Sequence, residues 1–245
     1  MSLAVEGATN VGFDSASSSS LNITTAGIDR IVVLCLHAEG PVTQVWNTPT
    51  ASGLTFARRA HVIWPARGTS WSSTYDVWWA YAAAQLTATT ISISLSSGNT
   101  DGATAEVFAV SGVHSSRFAT GGWDDNVGLP ISATVPTPGS SSVPAITGIN
   151  TTNLNDLVFV DWVTSLANIA GSGAPSGFTR VDTIFHNDFD NASSQAIDEQ
   201  AFSSAQSSLS VTSTVAGNSW WGVIADAMTS DASLRSPRHR GIFVG

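Results

Sequence analysis

The stretch NLNDLVFVDWV, residues 153–163, decides the fold. A polar turn leads into an unbroken run of branched and aromatic side chains. Such a run has no polar face to give to water, so it reads as a central strand covered on both sides. An earlier stretch, GIDRIVVLCL at residues 27–36, is built the same way. What flanks the two runs also matches, which points to two copies of one β-unit.

The repeat can be followed by position. Asp29 aligns with Asp156 at an offset of 127, Ser52-Gly53 with Ser176-Gly177 at 124, Gln85 with Gln206 at 121, and Val107 with Val223 at 116. An offset that drifts slowly is what small deletions in loops produce when strand order is kept. A unit of this length is too long for a solenoid repeat and suits a duplicated half-sandwich.

Around the central runs, the first half predicts strands at residues 3–5, 21–25, 31–37, 54–64, 74–83, 90–96 and 103–113. The stretch TISISLS at 90–96 alternates with period two, as a half-buried strand does. The second half predicts strands at 145–147, 157–163, 178–185, 195–202, 209–215 and 220–228. Residues 117–142 are rich in Gly and Pro, hold one short strand at 131–135, and read as the crossover. No helix of ordinary length is predicted. The expected architecture is all-β: a jelly-roll-like antiparallel β-sandwich built from two pseudo-repeated halves. It forms one domain over residues 1–230, with half-repeats at about 20–115 and 140–230 and a C-terminal arm at 231–245.

Composition narrows the function. Of 245 residues, 42% are hydrophobic and only 11% charged, so a real core is available and the surface rests on Ser, Thr, Asn and Gly. The net charge of −9 argues against nucleic-acid binding by the body. All nine basic residues are arginine. From Asp231 onward three arginines (Arg235, Arg238 and Arg240) face one acid, a net of +2, which leaves −11 for the rest. The segment ends in the apolar Ile242, Phe243 and Val244. It reads equally as a final edge strand of its own sheet or as an arm that adds to a neighbour's sheet edge, its arginines on that neighbour's acidic surface. The start of the chain lacks a basic and apolar leader, and no apolar run reaches the length of a membrane span. The expectation is synthesis in a host cytoplasm without Sec export and no membrane partner. The single cysteine, Cys35, sits in an apolar run and is expected to be buried and inert.

The pieces SGLTFARRA (52–60), SGFTRVDT (176–183), AEVFAVSGVHSSRF (105–118), VPAITGINTTNLNDLVFV (143–160) and WWGVIADAM (220–228) carry a resemblance. They resemble a β-sandwich module widespread in virion and tail-associated proteins of tailed phages and their bacterial hosts. The resemblance implies a jelly-roll-like sandwich and brings no catalytic residues or cofactor. On this reading the chain is a non-enzymatic virion protein, an accessory capsid or tail component. Its partners are copies of itself and other virion proteins, such as the major capsid or tail protein.

Candidate chemistry is sparse. Asp188 and Asp190 in HNDFDN alternate as calcium ligands do, though the glycine and distal glutamate of an EF-hand loop are missing. Asp161 and Asp226 lie inside apolar runs, and two facing buried carboxyls would suit glycoside hydrolysis. At the local offsets their first-half equivalents are Leu34 and Val110. The five histidines have no metal-type spacing, and neither a G-x-S-x-G motif, a P-loop nor a CxxC is present. Of nine tryptophans, Trp46, Trp71 and Trp123 lie in or beside predicted loops and are candidates for a recognition surface, for subunit contact or for a glycan. In the adjacent pairs Trp78-Trp79 and Trp220-Trp221, one ring should face each side of the strand.

Overall fold

The computed structural model describes residues 2–14, 17–66, 71–96, 101–124, 126–134, 141–165, 168–169, 171–186 and 193–230. Among them are fifteen strands and one short 3-10 helix, Ser115–Thr120. The first half holds β1 (Ala4–Phe13), β2 (Ser18–Ile23), β3 (Arg30–Gly40), β4 (Thr50–Ala51), β5 (Ala57–Ala66), β6 (Trp71–Ala82), β7 (Thr89–Ser94) and β8 (Gly102–Ser111). The second holds β9 (Ile131–Thr134), β10 (Ala145–Ile149), β11 (Asp156–Ser165), β12 (Thr179–His186), β13 (Ser193–Phe202), β14 (Leu209–Thr212) and β15 (Trp220–Thr229).

The molecule is an antiparallel all-β sandwich, compatible with a jelly roll. Two five-stranded sheets, β1-β8-β3-β6-β5 and β12-β13-β11-β15-β9, face one another. Each is covered on its far side by a small sheet of its own half, β2-β7-β4 and β10-β14. There are therefore three apolar layers. One lies under each small sheet, and the third, fed by both halves, fills the seam between the large sheets.

This layering explains the central runs. In β3 the even residues Val32, Leu34 and Leu36 enter the outer core, while Ile31, Val33 and Cys35 enter the seam. In β11, Val158, Val160 and Trp162 face outward, and Leu157, Phe159 and Val163 face the seam. With an apolar layer on both sides, neither strand needs the alternation of a half-wetted strand. The turns that launch them each place one residue in left-handed geometry, Asp29 (φ 58°) and Asn155 (φ 59°), residue types that tolerate it.

Across the seam β1 lies along β12 and β5 lies near β15, so the sheets are related by an approximate twofold axis running along the strands. The seam is packed by Phe108 and Phe159, whose rings meet edge to face at 5.7 Å; such a pair adds about 1 kcal/mol beyond its burial. The sheets approach closely elsewhere too. A Cβ on Gly222 would come within 2.4 Å of the Trp64 ring, so β15 must be bare there for β5 to seat its tryptophan.

Part of the expected crossover belongs to the second half's large sheet. Residues 131–134 pair with β15, and Trp123 bridges Met228 just as Val5 of β1 pairs with Val110 of β8. The second half thus has a broken copy of β1, its two pieces separated by the loop that carries Pro130. Residues 231–245, with Arg235, Arg238, Arg240, Ile242, Phe243 and Val244, lie outside the described residues. No helix among the described residues is long and apolar enough to cross a membrane.

Candidate functional site

The polar residues of the molecule concentrate where an apolar layer would be expected, in the seam. On β3 the seam-facing positions continue from Cys35 to His37. Strand pairing sets Glu106 of β8 opposite Cys35, and Tyr75 of β6 opposite His37. From the other sheet come Asp161 of β11 and, on β13, Gln195 opposite Val163 and Ser193 opposite Ser165. Cys35, Tyr75, Glu106, Asp161, Gln195 and Ser193 are all 0% exposed.

Two polar links cross the seam or brace it. His37 Nδ1 lies 3.0 Å from Ser193 Oγ and its Nε2 lies 3.4 Å from Ser73 Oγ. Its ring stacks on Trp64 at 6.1 Å. Burial lowers the His37 pKa to about 3, so the imidazole is neutral and serves as a hydrogen-bonding tie between the halves. Both ring nitrogens are taken up by hydroxyls, so no carboxylate orients the ring as a Ser-His-Asp site requires.

The second link centres on Asp161. Gln195 Nε2 donates to its Oδ2 at 2.9 Å. Burial pushes the Asp161 pKa up to about 7, against the opposing pull of Tyr75, Cys35 and Gln195. Burial, together with the Asp161 charge, raises the Cys35 thiol and the Tyr75 phenol well above their ordinary ranges. Cys35 is therefore a protonated thiol, as its sequence context implied. Glu106 is raised too, by burial first and then by Asp161, and neither of its carboxyl oxygens meets a hydrogen-bond donor.

This group can hold protons, but it is closed to a substrate. Shallow clefts lie along the flanks of the seam. One of about 280 Å³ runs by Val5, Ala8, Thr179 and Val181, and another of about 230 Å³ by Ala60, Val62, Pro130 and Ile224.

The candidate Asp161–Asp226 pair does not assemble, and Asp226 pairs with an arginine instead. Both face the seam, but Asp226 stands opposite Phe159 and Asp161 opposite Ile224, and each has its own partners. Arg59 grips Asp226 with Nε at 2.8 Å and Nη2 at 3.1 Å. Arg59 sits at the β5 bulge between Arg58 and Ala60, which turns its side chain into the seam, where it also covers the Trp123 ring at 4.9 Å. Burial pushes Asp226 up and the guanidinium pulls it part of the way back. The first-half equivalents also differ from those expected. The left-handed turn residues Asp29 and Asn155 set an offset of 126, so Asp161 corresponds to Cys35, its seam neighbour, and not to Leu34. The pairing of β8 and β15 with the central strands makes Phe108, and not Val110, the counterpart of Asp226.

The tryptophans also divide differently. Trp46 is 3% exposed, in the outer core against Phe13 at 6.2 Å, and Trp123 is 6% exposed, against Phe159 at 5.9 Å. Neither ring belongs to a surface, because the segments that carry them fold back as bridges to Leu95 and Met228. Trp71 is half-buried at the start of β6. Trp78 enters the outer core and Trp79 the seam, as an adjacent pair in a strand should. Asp188 and Asp190 lie outside the described residues. Among the described residues no group of three or more His, Cys, Asp or Glu side chains is placed to hold a metal ion.

The sequence reading missed Glu106, Tyr75 and Gln195. A glutamate inside ATAEVFAV was the available signal, but its meeting with Cys35 and Asp161 depends on strand register. Compared with known proteins, the chain matches no family model, no curated protein and no solved structure.

Proposed function

We propose that the chain is a non-enzymatic structural component of a tailed-phage or phage-like particle, an accessory capsid or tail protein that assembles with copies of itself. The observation that carries the reading is the sealing of the seam. The ionisable groups inside the seam, His37, Tyr75, Glu106 and Asp161, are 0–1% exposed, and His37 ties the two halves together, as parts of a rigid body would be. The outer small sheet adds support. It presents Ser18, Ser20, Thr50, Ser92 and Ser94, an uncharged hydroxyl face suited to contact with another protein surface. The resemblance of the repeat motifs to virion modules points the same way.

The sequence of residues 231–245 supplies the assembly element of this proposal, with three arginines to meet an acidic body. Sedimentation velocity on the full chain and on a chain ending at residue 230 tests it. The full chain is expected to form a defined oligomer and the shortened chain to fall to a smaller species while keeping its β-sheet circular dichroism. Identical sedimentation of the two contradicts an assembly arm.

A second reading, binding of a neutral glycan, is favoured by one feature, the hydroxyl-lined groove of about 510 Å³ over β2, β4 and β7. A glycan array would show selective binding that is lost on Ser92→Trp, which fills the groove. Silence across the array removes this reading.

A further inference from the structure

Glu106 is the seam residue that packing does not explain. It is wholly buried, and both carboxyl oxygens lack donors. A buried carboxylate left in that state costs several kcal/mol, so the side chain must either find a cation or keep its proton. Its surroundings supply little positive charge. On its own sheet it faces Cys35 of β3 and Asn10 of β1, with Tyr75 of β6 and the neutral His37 nearby in the same face. From the opposite sheet it feels Asp161 of β11, Asp182 and Arg180 of β12, and Asp198 of β13. Asp182 is engaged by Asn10 Nδ2 at 2.9 Å. Arg180, the one cation in this set, is committed to Asp198 at 2.6 and 3.2 Å.

We propose that Glu106 and Asp161 form a proton-held lock between the two halves. The large sheets stay packed while these carboxyls keep their protons, and the seam loosens as the protons leave. The geometry points to this because the two acids enter one closed layer from opposite sheets, both beside Cys35, with no free cation facing them. The raised pKa values fix the direction. In the unfolded chain both acids ionise in the ordinary carboxyl range, near 4. In the folded chain they hold protons to higher pH, Asp161 to about 7 and Glu106 well above its ordinary value. Stability is therefore greatest at low pH and falls as pH rises from the unfolded pKa toward the folded one. Each held proton lowers the folding equilibrium constant about tenfold per pH unit across that window.

The test is denaturant unfolding of the full chain at pH 5, 6, 7 and 8, for the wild type, Glu106→Gln and Glu106→Leu. The wild type is expected to lose stability steadily over this range. Both variants should lose it less steeply, by about tenfold in the equilibrium constant per pH unit, and so be more stable than the wild type at pH 8. Glu106→Leu fills the site with an apolar side chain of similar size, so it guards against a variant that fails for want of a hydrogen bond. The same slope in wild type and either folded variant overturns the proposal. Infrared spectra of the wild type at pH 7 give a reading that needs no variant. A buried protonated carboxyl band is expected, and its absence overturns the lock.

Discussion

The two halves solve the same local problem with opposite chemistry. In the first half Glu6 of β1 accepts from Ala26 N at 3.1 Å and from Arg30 Nε at 2.6 Å, an ion pair at the foot of the central strand. In the second half Asp124 takes the place of Glu6. It accepts from Thr152 N, the counterpart of Ala26 N, at 3.0 Å, and from Asn153 Nδ2 at 2.7 Å. The position of Arg30, however, is filled by Asp156, 0% exposed. Burial alone would raise Asp124, but the donors of Thr152, Asn126 and Asn153 hold it below the usual carboxyl range. Burial, and then the Asp124 charge, push Asp156 up to about 7. A guanidinium in one half is thus replaced by a proton in the other. The backbone scaffold is kept through duplication while the group that satisfies it changes.

A similar divergence occurs on the outer faces. Arg58 and Arg180 are counterparts, each beside a bulge in β5 or β12. Arg58 lies over the Trp78 ring at 5.5 Å and is 44% exposed. Arg180 is clamped to Asp198, which is buried and also accepts from Trp162 Nε1 at 3.0 Å. The sharpest way to break the comparison is to remove each arginine. Arg180→Ala leaves an unpaired buried carboxylate and is expected to destabilise by about 3 kcal/mol. Arg58→Ala removes a cation–π contact and a loose ion pair, 3.6 Å, to the buried Asp76, which keeps His61 at 2.5 Å, so it should cost less, about 1 kcal/mol. Urea unfolding of the two variants side by side checks this, and equal losses would mean that the halves have not diverged in the way described.

The pH contrast is read at a single residue, Asp156. Asp156→Asn should match the wild type near pH 4 and exceed it at pH 7.5. Its folded pKa is raised, so the wild type loses stability as pH climbs from about 4 toward 7, by up to about 1.4 kcal/mol per unit. Thermal melts at the two pH values read the difference. A variant less stable than the wild type at both would show that Asp156 is held by its hydrogen bonds and not by its proton.

Much of this architecture was legible in the sequence, because a polar turn followed by a two-sided apolar run has few other uses. The central strands, the alternating β7 and the order of the repeat follow from local patterns. The first strand was read only over residues 3–5, since AVEGATNVGF is broken by the bulge at Gly7, whose φ is 66°. Of its counterpart in the second half, the piece at 131–134 is legible as a short strand, while the loop around Pro130 hides the piece at Trp123. The seam was only half legible. Asp161 stood out as a buried acid, but its partners come from β3, β6, β8 and β13, and long-range register brings them together. Matching Asp29 with Asp156 by residue type misplaced the register by one residue, and in a strand that exchanges the two faces. Trp46 and Trp123 looked exposed because their segments lack strand patterns, yet each segment folds back to cover a core.

The proposal that this layered, sealed body is built to be part of a particle is tested most directly by locating it. Particles purified from the host that carries the chain would be labelled with an immunogold antibody against it. The account predicts regular labelling of the head or the tail. Unlabelled particles beside free protein in the soluble fraction would contradict it.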